Sequence, residues 1–329
     1  RLGLTLRPAW EVHSEAFKQI LWLMGPMILG MAVTQLNTLA DDIIAKSLSG
    51  SAEKGEYFVM WGRQIRYPVW AGAVASLFYA QRLYQFPLGV LGISLATAIF
   101  PVLTDAAADR DNPRLVKTTL QGLQAAIFLA LPSTVGLILV ARPLVAAIYQ
   151  RGRFTVEDTQ LTSGVLICYA VGLCGYFIQQ ILPRTFYALK NSRTPAQTAV
   201  LAVVLNIILN LILIWPMGSE GLALSTAICS YIQVGILLGL LHRRTGIRPD
   251  ADFWKAMGKT ALGTAVMAAV GWAVLGAMAG WTDCFRTEVV RVLVLVIICG
   301  GVYAAMAAVL RNPMLSLVIH SRKRKKSTP

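Results

Sequence analysis

Long apolar runs alternate with short polar breaks over almost the whole chain, and this alternation predicts eight membrane-crossing helices. The runs lie near residues 19–48, 71–104, 118–140, 161–183, 197–215, 221–241, 257–279 and 289–310. About twenty apolar residues in a helix cover the hydrocarbon core of a bilayer. The breaks carry turn chemistry: Asp109-Arg-Asp-Asn-Pro113, Gln150-Arg-Gly-Arg153, Lys190-Asn-Ser-Arg-Thr-Pro195, Pro216-Met-Gly218 and Arg243-Arg-Thr-Gly-Ile-Arg-Pro249. The Thr155-x-x-Asp158 step predicts a capped helix start. Residues 49–70 mix aromatics with charges of both signs and are expected to lie at the outer interface. No break could hold a domain outside the membrane. The fold class expected is an all-α polytopic transmembrane helical bundle.

Composition agrees. Only 14% of the 329 residues are charged, against about 25% in soluble domains. The net charge of +14 sits mainly in loops and tail, so it reads as topology signal and not as a nucleic-acid footprint. Counted over alternate loops, 20 of the 30 Lys and Arg fall on one side and 8 on the other. That bias places both termini in the cytoplasm. The tail from Arg322 to Lys326 reads as a cytoplasmic anchor that also meets anionic membrane lipid. The five cysteines show no CxxC or zinc spacing, and the three histidines stand at loops or ends. Residue 1 is arginine and residues 1–14 form neither a signal peptide nor a domain. The chain is therefore expected to begin inside a longer parent protein.

Polar residues within the apolar runs carry the functional signal. The second run holds Arg82, with Pro87, Gly89 and Gly92 following. A charge at mid-membrane costs about 2.5–3.5 kcal/mol and normally faces a wet cavity or a partner. Near a membrane surface it snorkels to the headgroups instead, and both readings fit Arg82. Pro87 removes one backbone hydrogen bond and predicts a kink just before it. The first run contains Asp41, Asp42 and Lys46, of which Asp42 and Lys46 are spaced for a helical ion pair. Such a pair would leave Asp41 a buried carboxylate in need of a partner. Asn206 and Asn210 share one helix face, and Thr226 stands one turn beyond Leu222. Asp41, Asn206, Asn210, Thr226 and the Leu222 carbonyl make an all-oxygen set that suits a hard monovalent cation. Equally, the two asparagines could join helices by hydrogen bonds alone. No catalytic motif is present, so an enzyme is not expected.

Four stretches together resemble one family. Phe78-Tyr-Ala-Gln-Arg-Leu-Tyr-Gln-Phe-Pro-Leu-Gly-Val-Leu-Gly-Ile-Ser-Leu-Ala-Thr followed by Pro101 resembles the signature span of the MurJ (MviN) lipid II flippases. Gly25-Pro-Met-Ile-Leu-Gly with Gln35, Tyr149-Gln-Arg-Gly-Arg-Phe-Thr, and Phe186-Tyr-Ala-Leu-Lys-Asn-Ser-Arg-Thr-Pro195 resemble further family segments in the same order. The family belongs to the MOP transporter superfamily and has fourteen spans in two six-helix lobes plus a final pair. The resemblance implies that this chain is spans seven to fourteen. Residues 1–16 would be a lead-in from an N-terminal lobe, 17–245 the six-helix C-lobe, 246–312 two additional helices, and 313–329 a basic tail.

It further implies inner-membrane transport of lipid II, the polyprenyl-pyrophosphate-linked disaccharide-peptide. Arg82 would engage the pyrophosphate. Asp41, Asn206, Asn210, Leu222 (by its carbonyl) and Thr226 would match a sodium site, although the position of Asn210 is acidic in that site. Lys46 replaces a small polar residue, and the 49–70 segment is longer than usual. Two other readings are another MOP exporter, for polysaccharide lipid or drugs, and a membrane scaffold that transports nothing.

Overall fold

The computed structural model describes residues 15–315, apart from 52, 61–62 and 282–283. The expected lead-in over 1–14 and the basic tail beyond 315 lie outside the described residues. Helix α1 spans Glu15–Ser47, and a broken helix follows as α2 (Ala73–Pro87), a π-helical segment (Leu88–Ile93) and α3 (Ser94–Ala108). Next come α4 (Asn112–Tyr149), α5 (Val156–Val171), α6 (Leu173–Ala188), α7 (Arg193–Met217), α8 (Ser219–Thr245), α9 (Ala251–Ala277) and α10 (Phe285–Val309). Among the described residues six helices are long and apolar enough to cross a membrane, or seven if the bent α5–α6 pair is one span. Helix α1, 33 residues long, lies beyond that count. Outward side chains such as Phe86, Trp272, Ile297 and Val309 are apolar and exposed, as a lipid-facing surface requires.

Local chemistry sets the helix ends. Asp111 accepts from the Arg114 amide, with Pro113 in the first turn of α4. Thr155 and Asp158 form the expected capping box at α5. Asp250 accepts from the Phe253 amide at α9, and Gly246 closes α8 with φ of 70°. The long helix α4 is central, packing on α3, α5, α6, α9 and α10. Helix α7 lies between α1 and α8, and α5 packs on α2 and α8. The core includes Phe177, Phe186, Leu166 and Leu237, with Tyr84 stacked 4.9 Å from Tyr169 and 5.2 Å from Tyr176.

Two local expectations are corrected, and a third segment shows structure that was not foreseen. The disruption near Pro87 falls after the proline, as the π-helical segment 88–93, rather than as a kink before it. Gly92 lies within this segment against Phe177, and a Cβ there would meet that ring at 3.3 Å. The single span expected over 161–183 is two helices bent by 44° at Gly172. A Cβ on Gly172 would lie 2.8 Å from the Ala227 backbone, so the bend lets α8 approach closely. Residues 49–70, expected at the outer interface, hold two short strand pairs. Strands β1 (Ser49–Gly50) and β4 (Val69–Trp70) pair in parallel, and β2 (Tyr57–Met60) and β3 (Arg63–Arg66) pair antiparallel.

The α7–α8 corner turns at Gly218, whose φ is 58°. A Cβ on Gly221 would sit 2.3 Å from the Leu213 carbonyl oxygen, which is backbone and cannot swing away. Gly221→Ala should therefore destabilise the bundle by about 1–3 kcal/mol, lowering the thermal midpoint of the detergent-solubilised protein. Gly235→Ala, in the same helix with nothing within 4 Å, should not lower that midpoint and should raise it slightly, since Ala is the better helix former.

Candidate functional site

Helices α1, α7 and α8 meet around one buried polar cluster. Asn206 and Asn210 are four residues apart on α7, so both amides face the same way. Asn210 Nδ2 donates to Asp41 Oδ1 at 2.5 Å and to Asn206 Oδ1 at 2.9 Å. Thr226 Oγ1 donates to Asp41 Oδ2 at 3.5 Å and to the Leu222 carbonyl at 3.2 Å. Ser225 donates to the same carbonyl at 2.7 Å and to Asn210 Oδ1. Asn206 Nδ2 reaches Ser225 at 3.3 Å and Thr226 at 3.1 Å. With its amide turned over, Asn206 accepts from both hydroxyls and donates to Asp41 Oδ1 at 2.9 Å and Asn37 Oδ1 at 3.1 Å.

All five residues expected to form a cation site thus come together. Asp41, Asn206, Asn210 and Leu222 are each at most 5% exposed. The expected ion pair between Asp42 and Lys46 does not form; among the described residues neither joins an ion pair. Asp41 takes its partners from α7 and α8 instead, across 169 and 185 residues of sequence. Ser225 was not expected. Its signal was its place beside Thr226, three residues after Leu222, where its hydroxyl bonds both the Leu222 carbonyl and the Asn210 amide. The donor set is rich in oxygen and carries one carboxylate, which matches a hard monovalent cation better than a divalent one.

Arg82 stands apart from this cluster. It lies on the exposed side of α2, and its guanidinium sits 4.8 Å from the centroid of the Phe78 ring one turn earlier. No carboxylate lies within ion-pair distance of it among the described residues. The guanidinium is therefore neither buried nor locked, and its donors are open to a ligand. Phe78 also lines a cleft of about 650 Å³ between the end of α1 and the start of α2, which Asp42, Lys46 and Lys54 border as well. The π-helical segment begins six residues beyond Arg82; such segments recur at functional positions in membrane and soluble helices.

A family model described as "Lipid II flippase MurJ" matches residues 1–308. A probable lipid II flippase MurJ of Vibrio cholerae is 28% identical over 242 residues, covering 74% of this chain and 42% of that protein. A solved MurJ in an inward closed conformation superposes with a TM-score of 0.64 and 25% identity, covering 92% of this chain and 57% of that one. An outward-facing MATE-family multidrug transporter of the MOP superfamily shares the fold, with a TM-score of 0.56 and 15% identity over 95% of this chain. The chain thus spans about half the length of the flippases it matches.

Proposed function

As the chain belongs to the MurJ lipid II flippase family, we propose that it acts as one lobe of a lipid II flippase in the bacterial inner membrane, with both termini cytoplasmic. The observation that carries this reading is Arg82: an exposed guanidinium without a carboxylate partner among the described residues, on a helix broken by a π-helical segment. A guanidinium offers a planar fork that matches two oxygens of a phosphate. Arg82 binds the pyrophosphate of the lipid-linked precursor while its sugar-peptide head crosses and its polyprenyl tail stays in lipid. A second lobe, as in the longer relatives, closes the other side of the path. Movement is alternating access between the lobes around this fixed arginine, and no covalent bond is made or broken.

The Asp41 cluster is the proposed sodium site. Asp41, Asn206, Asn210 and Thr226 would hold the ion, with the Leu222 carbonyl and the Ser225 hydroxyl at its margin. The bound cation would supply a positive charge opposite Asp41. Asp41 itself joins α1 to α7 and α8, so occupancy and lobe geometry are linked through its hydrogen bonds. Asn210 in place of a second carboxylate makes the site weaker than a two-acid one. Asn210→Asp should therefore tighten sodium binding, read by isothermal titration.

The decisive experiment follows lipid II exposed on the outer leaflet of cells depleted of this gene product. Exposure should fall on depletion and return with the intact gene. Undiminished exposure after depletion, in cells with no other flippase gene, would overturn the assignment.

A further inference from the structure

A second recess lies at the hairpin end of the bundle, between the start of α2 and the α4–α5 connection. Its volume is about 370 Å³, within the range of small-ligand sites. Thr162 lines it and is 1% exposed, yet its hydroxyl has no hydrogen-bond partner. Neighbouring hydroxyls are satisfied: Ser76 donates to the Ala73 carbonyl at 2.8 Å and Ser163 to Thr159 at 2.6 Å. Buried polar atoms are nearly always paired, so the lone Thr162 hydroxyl points to a missing partner.

Four further observations bear on that partner's chemistry. Helix α2 starts in the recess at Gly72, with φ of 106° and no side-chain cap, so its positive end faces the space. Arg151 and Arg153 line the same space. Arg153 is exposed and pairs with no carboxylate among the described residues. Arg151 donates to the Ala147 carbonyl at 3.2 Å and lies 4.7 Å over the Phe285 ring. Asp158 also lines the recess: its Oδ2 accepts from the Thr155 amide at 2.9 Å and hydroxyl at 3.1 Å, while its Oδ1 faces the start of α2, 3.9 Å from where a Gly72 Cβ would stand. The remaining wall is aromatic, with Tyr79 4.6 Å from Tyr149 and 5.7 Å from Phe154.

We propose that this recess is a second substrate subsite, which takes an oxyanion carried by the transported head group, a peptide carboxylate. Arg153 and the start of α2 hold the charge, and Thr162 donates its hydroxyl to the bound group. Tyr79, Tyr149 and Phe154 cover the apolar side of the residue that bears it. The inference rests on the flippase assignment and adds to Arg82 a contact with the head, away from the pyrophosphate.

The test measures binding to the full-length protein in nanodiscs of zwitterionic lipid. The probes are lipid II with free peptide carboxylates, lipid II with those carboxylates amidated, and polyprenyl pyrophosphate without a head. Arg153→Gln and Thr162→Val should each weaken binding of free-acid lipid II about tenfold and leave polyprenyl pyrophosphate unaffected. Amidation should weaken binding to the unaltered protein and erase the difference between it and the variants. Arg153 is exposed, so its variant tests the idea even if Thr162→Val folds poorly. Unchanged lipid II binding by Arg153→Gln overturns the subsite, and a parallel loss in Arg82→Gln would show that the flippase assignment survives it. Phosphatidylglycerol added to the nanodiscs serves as a fourth probe; if the variants lose its binding and keep that of free-acid lipid II, the anion is a phospholipid and the subsite is overturned. Failure of the unaltered protein to bind any of the precursors removes both assignments.

Discussion

Arg82→Gln should abolish measurable lipid II exposure on the outer leaflet while leaving the amount of protein in the membrane unchanged. The side chain is exposed and its one described contact is the Phe78 ring, so little folding energy depends on it. A charged hydrogen bond contributes about 1.5–3 kcal/mol, and a bidentate contact makes two. Loss of both corresponds to at least a hundredfold weaker hold on the pyrophosphate. Arg82→Lys keeps the charge but loses the fork, so it should retain partial activity. The pair of variants separates a bidentate role from simple charge attraction. If Arg82→Gln flips lipid II at the unaltered rate, Arg82 is a surface arginine at the headgroups and the site must be sought elsewhere.

What could be seen in the sequence divides along physical lines. Features governed by near neighbours were legible. The Thr155 and Asp158 capping box needs three residues of spacing and nothing else. The shared face of Asn206 and Asn210 follows from helix geometry. Asp41 groups with them on chemistry, as the buried carboxylate in need of a partner, because 169 residues separate it from Asn210 and no local pattern spans that distance. The Asp42–Lys46 spacing misled, because an exposed i,i+4 pair contributes only about 0.3–0.5 kcal/mol and other geometry easily displaces it.

The bend at Gly172 was not legible for a different reason. Apolar runs buried on several sides carry no period that marks where a helix turns. What marks the position is tertiary, the close approach of the Ala227 backbone to Gly172. Strands β2 and β3 did carry a signal, in Tyr57-Phe-Val-Met60 and Arg63-Gln-Ile-Arg66 around Trp61-Gly62. The mixed charges drew the reading to the segment's location and away from its strands. The Thr162 recess could not have been read from sequence at all, because an unpaired hydroxyl is defined only by what fails to reach it.

Asp41 gives the second large effect, and two substitutions separate its roles. Asp41→Asn keeps the shape and an oxygen acceptor for Asn210 but removes the charge that a sodium ion would need. A ligand that binds the folded state at a hundred times its dissociation constant stabilises it by about 2.7 kcal/mol. Sodium should therefore raise the thermal midpoint of the unaltered protein by a few degrees over choline, and Asp41→Asn should show no such rise. Asp41→Leu goes further, since it deprives Asn210 Nδ2 of a charged acceptor and Thr226 of one of its two. Losing a hydrogen bond to a charged group costs about 1.5–3 kcal/mol, so this variant should melt earlier in sodium and choline alike. The order expected is unaltered protein in sodium above unaltered protein in choline, with Asp41→Asn equal in both salts and Asp41→Leu lowest. A full sodium-dependent rise in Asp41→Asn would mean that sodium binds elsewhere and that the Asp41 cluster only fastens α1 to α7 and α8.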